Sequence, residues 1–229
     1  GDYSERGITR LNGFACELLG EAADQLIPVP PSLDRLGVLA EPTSICERAL
    51  RHAYTIGGRQ PWQLQRALVL GAGAIGTVTT LLLRLQGVET WVASLEAEAP
   101  LIEAAGAHYA RVGDVGELGT FDLVVECAGN AQLMADALGL LRRSGVACLI
   151  GIDGRNQDVT LDGRVLALDT VVEGRVLFGS VNAHRQDWLA AVDDLARIDP
   201  ELLRGLVGLR VPLEQFEDAF AFSGGKATL

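Results

Sequence analysis

The stretch with the clearest chemical potential is "VLGAGAIGTV", in which Gly71, Gly73 and Gly76 stand in GxGxxG spacing around Ala74 and Ile75. An apolar run precedes it and a long apolar helical pattern follows, which is the context this spacing needs. Gly71 allows a tight turn, Gly73 lets a pyrophosphate approach the backbone, and Gly76 lets the helix sit close to the strand. The helix start would then offer unpaired N–H groups and a positive dipole end to phosphates. An acid about 20 residues further on hydrogen-bonds an adenosine ribose in such sites. Ser94 and Glu96 stand near that place. No Arg or Lys lies between Arg84 and Arg111, so a 2′-phosphate would lack a basic partner and NAD is expected over NADP. "ECAGN" would set Ala128 and Gly129 beside the rest of the dinucleotide. A further carboxylate, Glu41, stands directly before Pro42 in "GVLAEPTSICERAL". By residue type alone it is a solvated surface acid.

These residues need a frame. "RALVLG", "ETWVAS", "HYARV", "FDLVVECAG", "VACLIGI" and "RVLFGSV" read as strands. "AIGTVTTLLLRLQ", "APLIEAAG" and "AQLMADALGLLRRSG" read as helices between them. In the last, Leu133, Ala137, Leu140 and Leu141 form one face. Alternating strands and helices imply right-handed crossovers, hence an α/β fold with a doubly wound parallel sheet of Rossmann type over residues 58–183. Before it, "LIPVPPSLD" holds three of the eight prolines and is expected as extended loop, followed by a helix from Leu39 to about Ile56. After it, "HRQDWLAAVDDLARI" is an amphipathic helix. Residues 1–57 and 184–229 do not continue the alternation and are expected to form segments of a second, catalytic domain.

The totals exclude several classes. A net charge of −11 with pI near 4.7 argues against nucleic acid or an anionic membrane as partner. No run reaches the ~18 apolar residues of a membrane span. Cys16, Cys46, Cys127 and Cys148 form no CxxC pair and are expected as reduced core thiols in a cytoplasmic protein. The chain opens without Met and closes in "FAFSGGKATL", and both ends read as cut.

"ERGITRLNGF", "LIPVPPSL", "GVLAEPTSICERAL", "LVLGAGAIG" and "GSVNAHRQDWLAAV" follow one another in an order that resembles the zinc-dependent medium-chain dehydrogenases, specifically the archaeal-type glucose dehydrogenases. Polyol dehydrogenases share the "EP" segment. The resemblance implies a homo-oligomeric enzyme, dimer or tetramer, that passes hydride from a sugar or polyol to NAD(P) with help from zinc. It implies that Glu41 lies at the catalytic zinc as a ligand or near-ligand, shielded and facing a cleft. Glu5 would hydrogen-bond sugar hydroxyls, and Asn182 would lie near the nicotinamide and substrate. By residue type Asn182 is a helix cap. The family's other zinc ligands match nothing in the sequence, so the N-terminal catalytic part is expected to be missing and the chain inactive alone. Two rival readings are a non-catalytic dinucleotide-binding module and a zinc-free quinone reductase, though Glu41 counts against the latter.

Overall fold

The computed structural model describes residues 4–229, and contacts divide the chain into two compact units. Residues 4–28 with Leu206–Leu229 form the smaller one, and Val29–Gly205 the larger. The smaller unit begins with two short strands, β1 (Glu5–Arg6) and β2 (Arg10–Leu11).

The larger unit opens with 3-10 turns over Pro31–Leu39; of the loop expected over residues 26–34, only Pro31–Asp34 falls within them, and residues 26–30 lie outside any helix or strand. Leu33, Leu36 and Leu39 are buried there. Asp34, at φ 41°, kinks the segment between Leu33 and the turn that carries Leu36 and Leu39, whose spacing of three suits a helix of three residues per turn. Helix α1 (Ala40–Gly57) follows, with Pro42 in its first turn, where a missing N–H removes no helical bond. It buries Cys46, Ala49, Leu50 and Ala53 along one face.

Then come β3 (Arg66–Leu70), α2 (Ala74–Leu85), β4 (Glu89–Ser94), α3 (Pro100–Ala104), β5 (His108–Arg111), β6 (Phe121–Glu126), α4 (Ala131–Asp136), β7 (Leu141–Leu149), α5 (Thr170–Glu173) and β8 (Val176–Gly179). The six strands from β3 to β8 form one sheet, every pair parallel, in spatial order β5-β4-β3-β6-β7-β8. The sequence order reverses between β3 and β6, so a crevice opens beyond their carboxyl ends. Both strands are central, and every residue of β6 is buried, which explains the apolar runs Ala67–Leu70 and Leu123–Val125, although β6 also buries Asp122 and Glu126.

One expected helix is shorter than its apolar period suggested. Helix α4 ends at Asp136, and β7 starts at Leu141, inside the segment expected to stay helical. Leu141 pairs with Phe121, and the register then shifts so that Val146 meets Leu123. Ser144 takes a left-handed φ of 61° in this irregular stretch. The buried Asp122 carboxylate pairs with the Arg142 guanidinium and accepts the Arg66 amide at 2.9 Å. These long-range bonds draw "LRRSG" onto the sheet. Ala137 and Leu141 still reach the core, so burial was read correctly although the helix was not. The helical turns over residues 165–173 had not been anticipated at all.

Helix α6 (Arg185–Leu195) and α7 (Pro200–Arg204) complete the larger unit. Helix α6 packs on α1, so both helices, expected in the flanking lobe, lie in the same compact unit as the sheet. Arg51 of α1 grips Asp187 of α6 through two N–H···O bonds of 2.6 and 3.0 Å. The smaller unit resumes with β9 (Val207–Arg210), α8 (Phe216–Ala221) and β10 (Lys226–Thr228), and β9 and β10 pair in parallel. Cys46 and Cys148 are buried as expected, Cys127 is partly buried, and Cys16 is exposed, which departs from the expected core thiol. Among the described residues no helix is long and apolar enough to cross a membrane.

The α1–α6 contact also holds a carboxyl under strain. Glu47 is buried, and its Oε1 has no hydrogen-bond partner. Burial raises its pKa from 4.5 to about 8, and the Asp194 carboxylate beside it adds to the rise. A raised carboxyl favours folding while neutral. That contribution is complete below pH 4.5 and is lost as pH climbs through about 8. The Glu47→Gln variant should therefore be more stable than wild type above that pH, by about 1 kcal/mol or more. Urea denaturation on both sides of the window checks this, and parallel pH profiles for the two proteins would sink it.

Candidate functional site

Strand β3 runs into the glycine turn. Gly71 takes φ +110°, and a Cβ there would lie 2.9 Å from the Ala128 amide nitrogen. Gly76 is tighter still: a Cβ would sit 1.9 Å from the Gly71 carbonyl oxygen. Its role is thus close passage of the helix over the turn itself. Gly73 differs, since a Cβ there would meet nothing within 4 Å. It is the N-cap of α2 and offers no side-chain cap, leaving the first-turn N–H groups of α2 without side-chain acceptors.

A pocket of about 490 Å³ opens at this turn. The expected residues Gly71, Gly73, Ser94, Glu96, Ala128 and Gly129 all line it. They come from the carboxyl ends of β3, β4 and β6, three adjacent strands at the reversal of sheet order. Ala74, Ile75 and Gly76 form the first turn of α2 directly behind the opening. The size and the mixed polar and apolar lining suit a small-molecule or cofactor site.

Glu96 sits on the rim and is exposed. Its carboxylate accepts the Ser94 hydroxyl, which lowers its pKa, and local backbone N–H groups act in the same direction. The Tyr109 hydroxyl donates to the Glu96 carbonyl oxygen at 2.9 Å. Across the pocket, Asn130 caps α4, its Oδ1 accepting the Gln132 and Leu133 amides at 3.0 and 3.1 Å.

Sequence reasoning missed several lining residues. Asn130 carried a readable signal, a polar cap before an apolar helix. Val112 and Arg155 carried none, because only the fold brings them to the pocket. Arg155 is clamped by Asp153 through two bonds of 2.9 Å. This contact holds the Asp153 carboxyl well below its ordinary value. Arg111 approaches the β4 loop, with an N–H 3.5 Å from the Leu95 carbonyl oxygen. The fold thus brings two cations to a rim that has none in its local sequence.

Asn182, Glu5 and Glu41 are not among the residues that line this pocket. Asn182, in the loop after β8, is exposed and takes φ +60°. It caps no helix: α6 is capped by a reciprocal pair of His184 and Asp187. Glu5 lies in β1 of the smaller unit. Glu41 is in the first turn of α1 and is exposed, where a shielded carboxylate was expected. Its carbonyl accepts the Ser44 hydroxyl at 2.7 Å. Among the described residues no three His, Cys, Asp or Glu side chains converge to hold a metal ion. A single carboxylate does not make a zinc site, so no chemistry through zinc is derived from these residues.

The sequence profile of the family described as "Glucose dehydrogenase C-terminus" matches residues 34–227. Glucose 1-dehydrogenase of Methanocella arvoryzae is 34% identical over 230 residues, covering 95% of this chain and 64% of that protein. Glucose 1-dehydrogenase 1 of Caldivirga maquilingensis is also 34% identical, covering 97% of this chain and 66% of that one. The chain therefore spans somewhat less than two thirds of these relatives. The solved structure of Haloferax mediterranei glucose dehydrogenase in complex with NADP, Zn and gluconolactone superposes with a TM-score of 0.91 at 28% identity, covering 99% of this chain and 67% of that one. The glycine turn, the six-stranded order and these matches lead to one conclusion: the chain belongs to the glucose dehydrogenase family of archaeal type, whose C-terminal region it matches.

Proposed function

We propose that the larger unit binds a nicotinamide dinucleotide, and that the chain is the cofactor-binding portion of a zinc-type sugar or polyol dehydrogenase. The observation that carries this reading is Gly73, where open space faces the uncapped first turn of α2 at the mouth of the pocket. The bound cofactor would supply the redox chemistry, taking hydride at C4 of its nicotinamide. The chain's part is to hold it. The α2 amides bind the pyrophosphate, Glu96 accepts hydrogen bonds from the adenosine ribose, and Ala128 and Gly129 lie against the middle of the molecule. Family resemblance supports Glu41 as one zinc ligand, Glu5 as a partner of sugar hydroxyls, and Asn182 as a neighbour of the nicotinamide. A non-catalytic dinucleotide-binding module remains the second reading, favoured by the lack of a metal cluster among the described residues. On either reading the chain alone should bind NAD(P) without reducing it; joining it to the N-terminal region of a glucose 1-dehydrogenase and incubating with glucose, zinc and NAD(P) separates the two, since only a dehydrogenase portion restores reduction.

Glu96 favours NAD over NADP. A 2′-phosphate beside a carboxylate meets repulsion of ~1–4 kcal/mol at 4 Å. Arg155 relieves little of this, because Asp153 already holds its guanidinium, and Arg111 is directed to the Leu95 carbonyl oxygen, 3.5 Å away. Calorimetric titration should find NAD binding about tenfold tighter than NADP, with most of the difference lost in Glu96→Ala. Tighter NADP binding, or unchanged discrimination in the variant, would overturn the assignment.

A homo-oligomer, dimer or tetramer, and a cytoplasmic location complete the proposal. β8 ends the sheet and exposes Leu177, while Val171 and Val172 of the preceding α5 are exposed as well. An apolar strand at an open edge is suited to a symmetric partner. The buried thiols of Cys46 and Cys148 suit a reducing compartment. Sedimentation velocity at micromolar concentration should find a dimer or larger, and a monomer would contradict this.

A further inference from the structure

Strand β6 ends on Glu126, which is wholly buried between Leu70 of β3 and Leu149 of β7. Three loops of the pocket meet around it. Its Oε1 accepts the Ala128 amide at 3.0 Å and the Asn130 amide at 3.2 Å. Its main-chain carbonyl accepts the Ile150 and Gly151 amides, both at 2.9 Å. The turn it holds abuts the glycine turn through Ala128 and Gly71, and abuts the loop after β7 through Gly129, where a Cβ would lie 2.5 Å from the Ile152 carbonyl oxygen. Its second oxygen, Oε2, is buried and has no hydrogen-bond partner. A Cβ on Gly151 would lie 2.5 Å from that oxygen, so the carboxyl has little room to turn toward another partner.

A dry carboxylate oxygen is expensive, whereas a neutral acid keeps Oε1 as an acceptor and avoids the charge. Burial indeed raises the Glu126 pKa, the Asn130, Ala128 and Gly129 amides counter part of the rise, and the Asp153 charge adds to it. The other groups facing the carboxyl leave this balance intact. β3 and β7 present Leu70 and Leu149, and α2 presents Thr79 to the adjoining Cys127, with 3.9 Å between oxygen and sulfur. Burial pushes the Cys127 thiol up, so it stays uncharged. Arg155 keeps Asp153 ionised. No ion pair to Glu126 is found among the described residues.

We propose that Glu126 is a positioning residue for the dinucleotide: as a neutral acid it fixes the Cys127–Asn130 turn against which the cofactor rests, and ionising it weakens cofactor binding. The inference rests on the dinucleotide reading of the pocket. A bound pyrophosphate adds negative charge close by and so favours the neutral form further. By linkage, affinity falls as pH rises through the Glu126 pKa. Glutamine reproduces the neutral acid, with Oε1 as acceptor and no proton to lose.

The test is NADH affinity, followed by protein fluorescence from the ordinary carboxyl value of 4.5 upward to about pH 9, for wild type, Glu126→Gln and Glu126→Ala. Wild type should weaken toward the alkaline end, while Glu126→Gln should match it at the acid end and stay flat. Glu126→Ala should bind about tenfold more weakly throughout, having lost both amide anchors. An equal alkaline decline in Glu126→Gln, a flat wild-type profile, or full affinity in Glu126→Ala would each overturn the inference while leaving the pocket's assignment standing. Should Glu126→Ala fail to fold by circular dichroism, the comparison of wild type with Glu126→Gln decides alone. Absence of NADH binding by wild type at every pH would instead overturn the reading of the pocket, and the inference with it.

Discussion

Replacing Gly73 by Asp should remove dinucleotide binding and leave the fold intact. The new side chain meets nothing within 4 Å, so it causes no clash. Gly73 is the N-cap of α2, and Asp is a preferred residue there, so thermal stability should hold or rise slightly. The same carboxylate would occupy the mouth of the pocket and accept the amides that a pyrophosphate needs. It also places a negative charge where the phosphates must come. At 4 Å the repulsion is ~1–4 kcal/mol, or about tenfold to a thousandfold in affinity, before counting the lost hydrogen bonds. Calorimetry with NADH and a melting curve, run on the same preparation, check both halves. Binding within twofold of wild type would place the phosphates somewhere other than the start of α2.

The opposite pattern is expected for Gly76→Ala, three residues along the same helix. Its Cβ would lie 1.9 Å from the Gly71 carbonyl oxygen and 2.9 Å from the Gly71 carbonyl carbon. Both are backbone atoms, so no rotamer change relieves the overlap. Helix α2 would have to move away from the turn, although eight of its residues are buried. Overpacking of this kind costs about 3 kcal/mol. For a chain of this size that lowers Tm by roughly 6–12 °C. Cofactor binding should fall too, because the turn loses its shape. An unchanged melting temperature would show that α2 rides further from the turn than the distances above require.

The two glycines illustrate which parts of the fold were legible in the sequence. The strand, turn and helix around Gly71–Gly76 carry period, composition and punctuation that agree, so β3, α2 and their pocket could be read directly. β4 and β6 were equally clear, being short apolar runs that end in small residues. The "LRRSG" stretch was misread because its apolar residues fit a helix as well as they fit a chain returning to the sheet. What decides is the buried Asp122, 20 positions from Arg142, and a local pattern carries no trace of that pairing. Helix α6 announced a buried face but not its partner, and the partner proved to be α1. The site shows the same division. Glu96 could be placed by counting from the glycines, whereas Arg155 reaches the rim from a loop almost 60 residues further on. The roles given to Glu41, Glu5 and Asn182 come from family resemblance alone, since their spacing has no chemical logic of its own. Glu126 went unremarked because a glutamate closing a strand reads as a surface residue until its burial is known.

Crystallising the protein with NADH tests the assignment of the pocket most directly. The expected result is a dinucleotide lying across the carboxyl ends of β3 and β6, its pyrophosphate above Gly73 and about 3 Å from the first amides of α2, its adenosine ribose beside Glu96. A dinucleotide bound elsewhere on the molecule, or an empty pocket in crystals grown at saturating NADH, would contradict it.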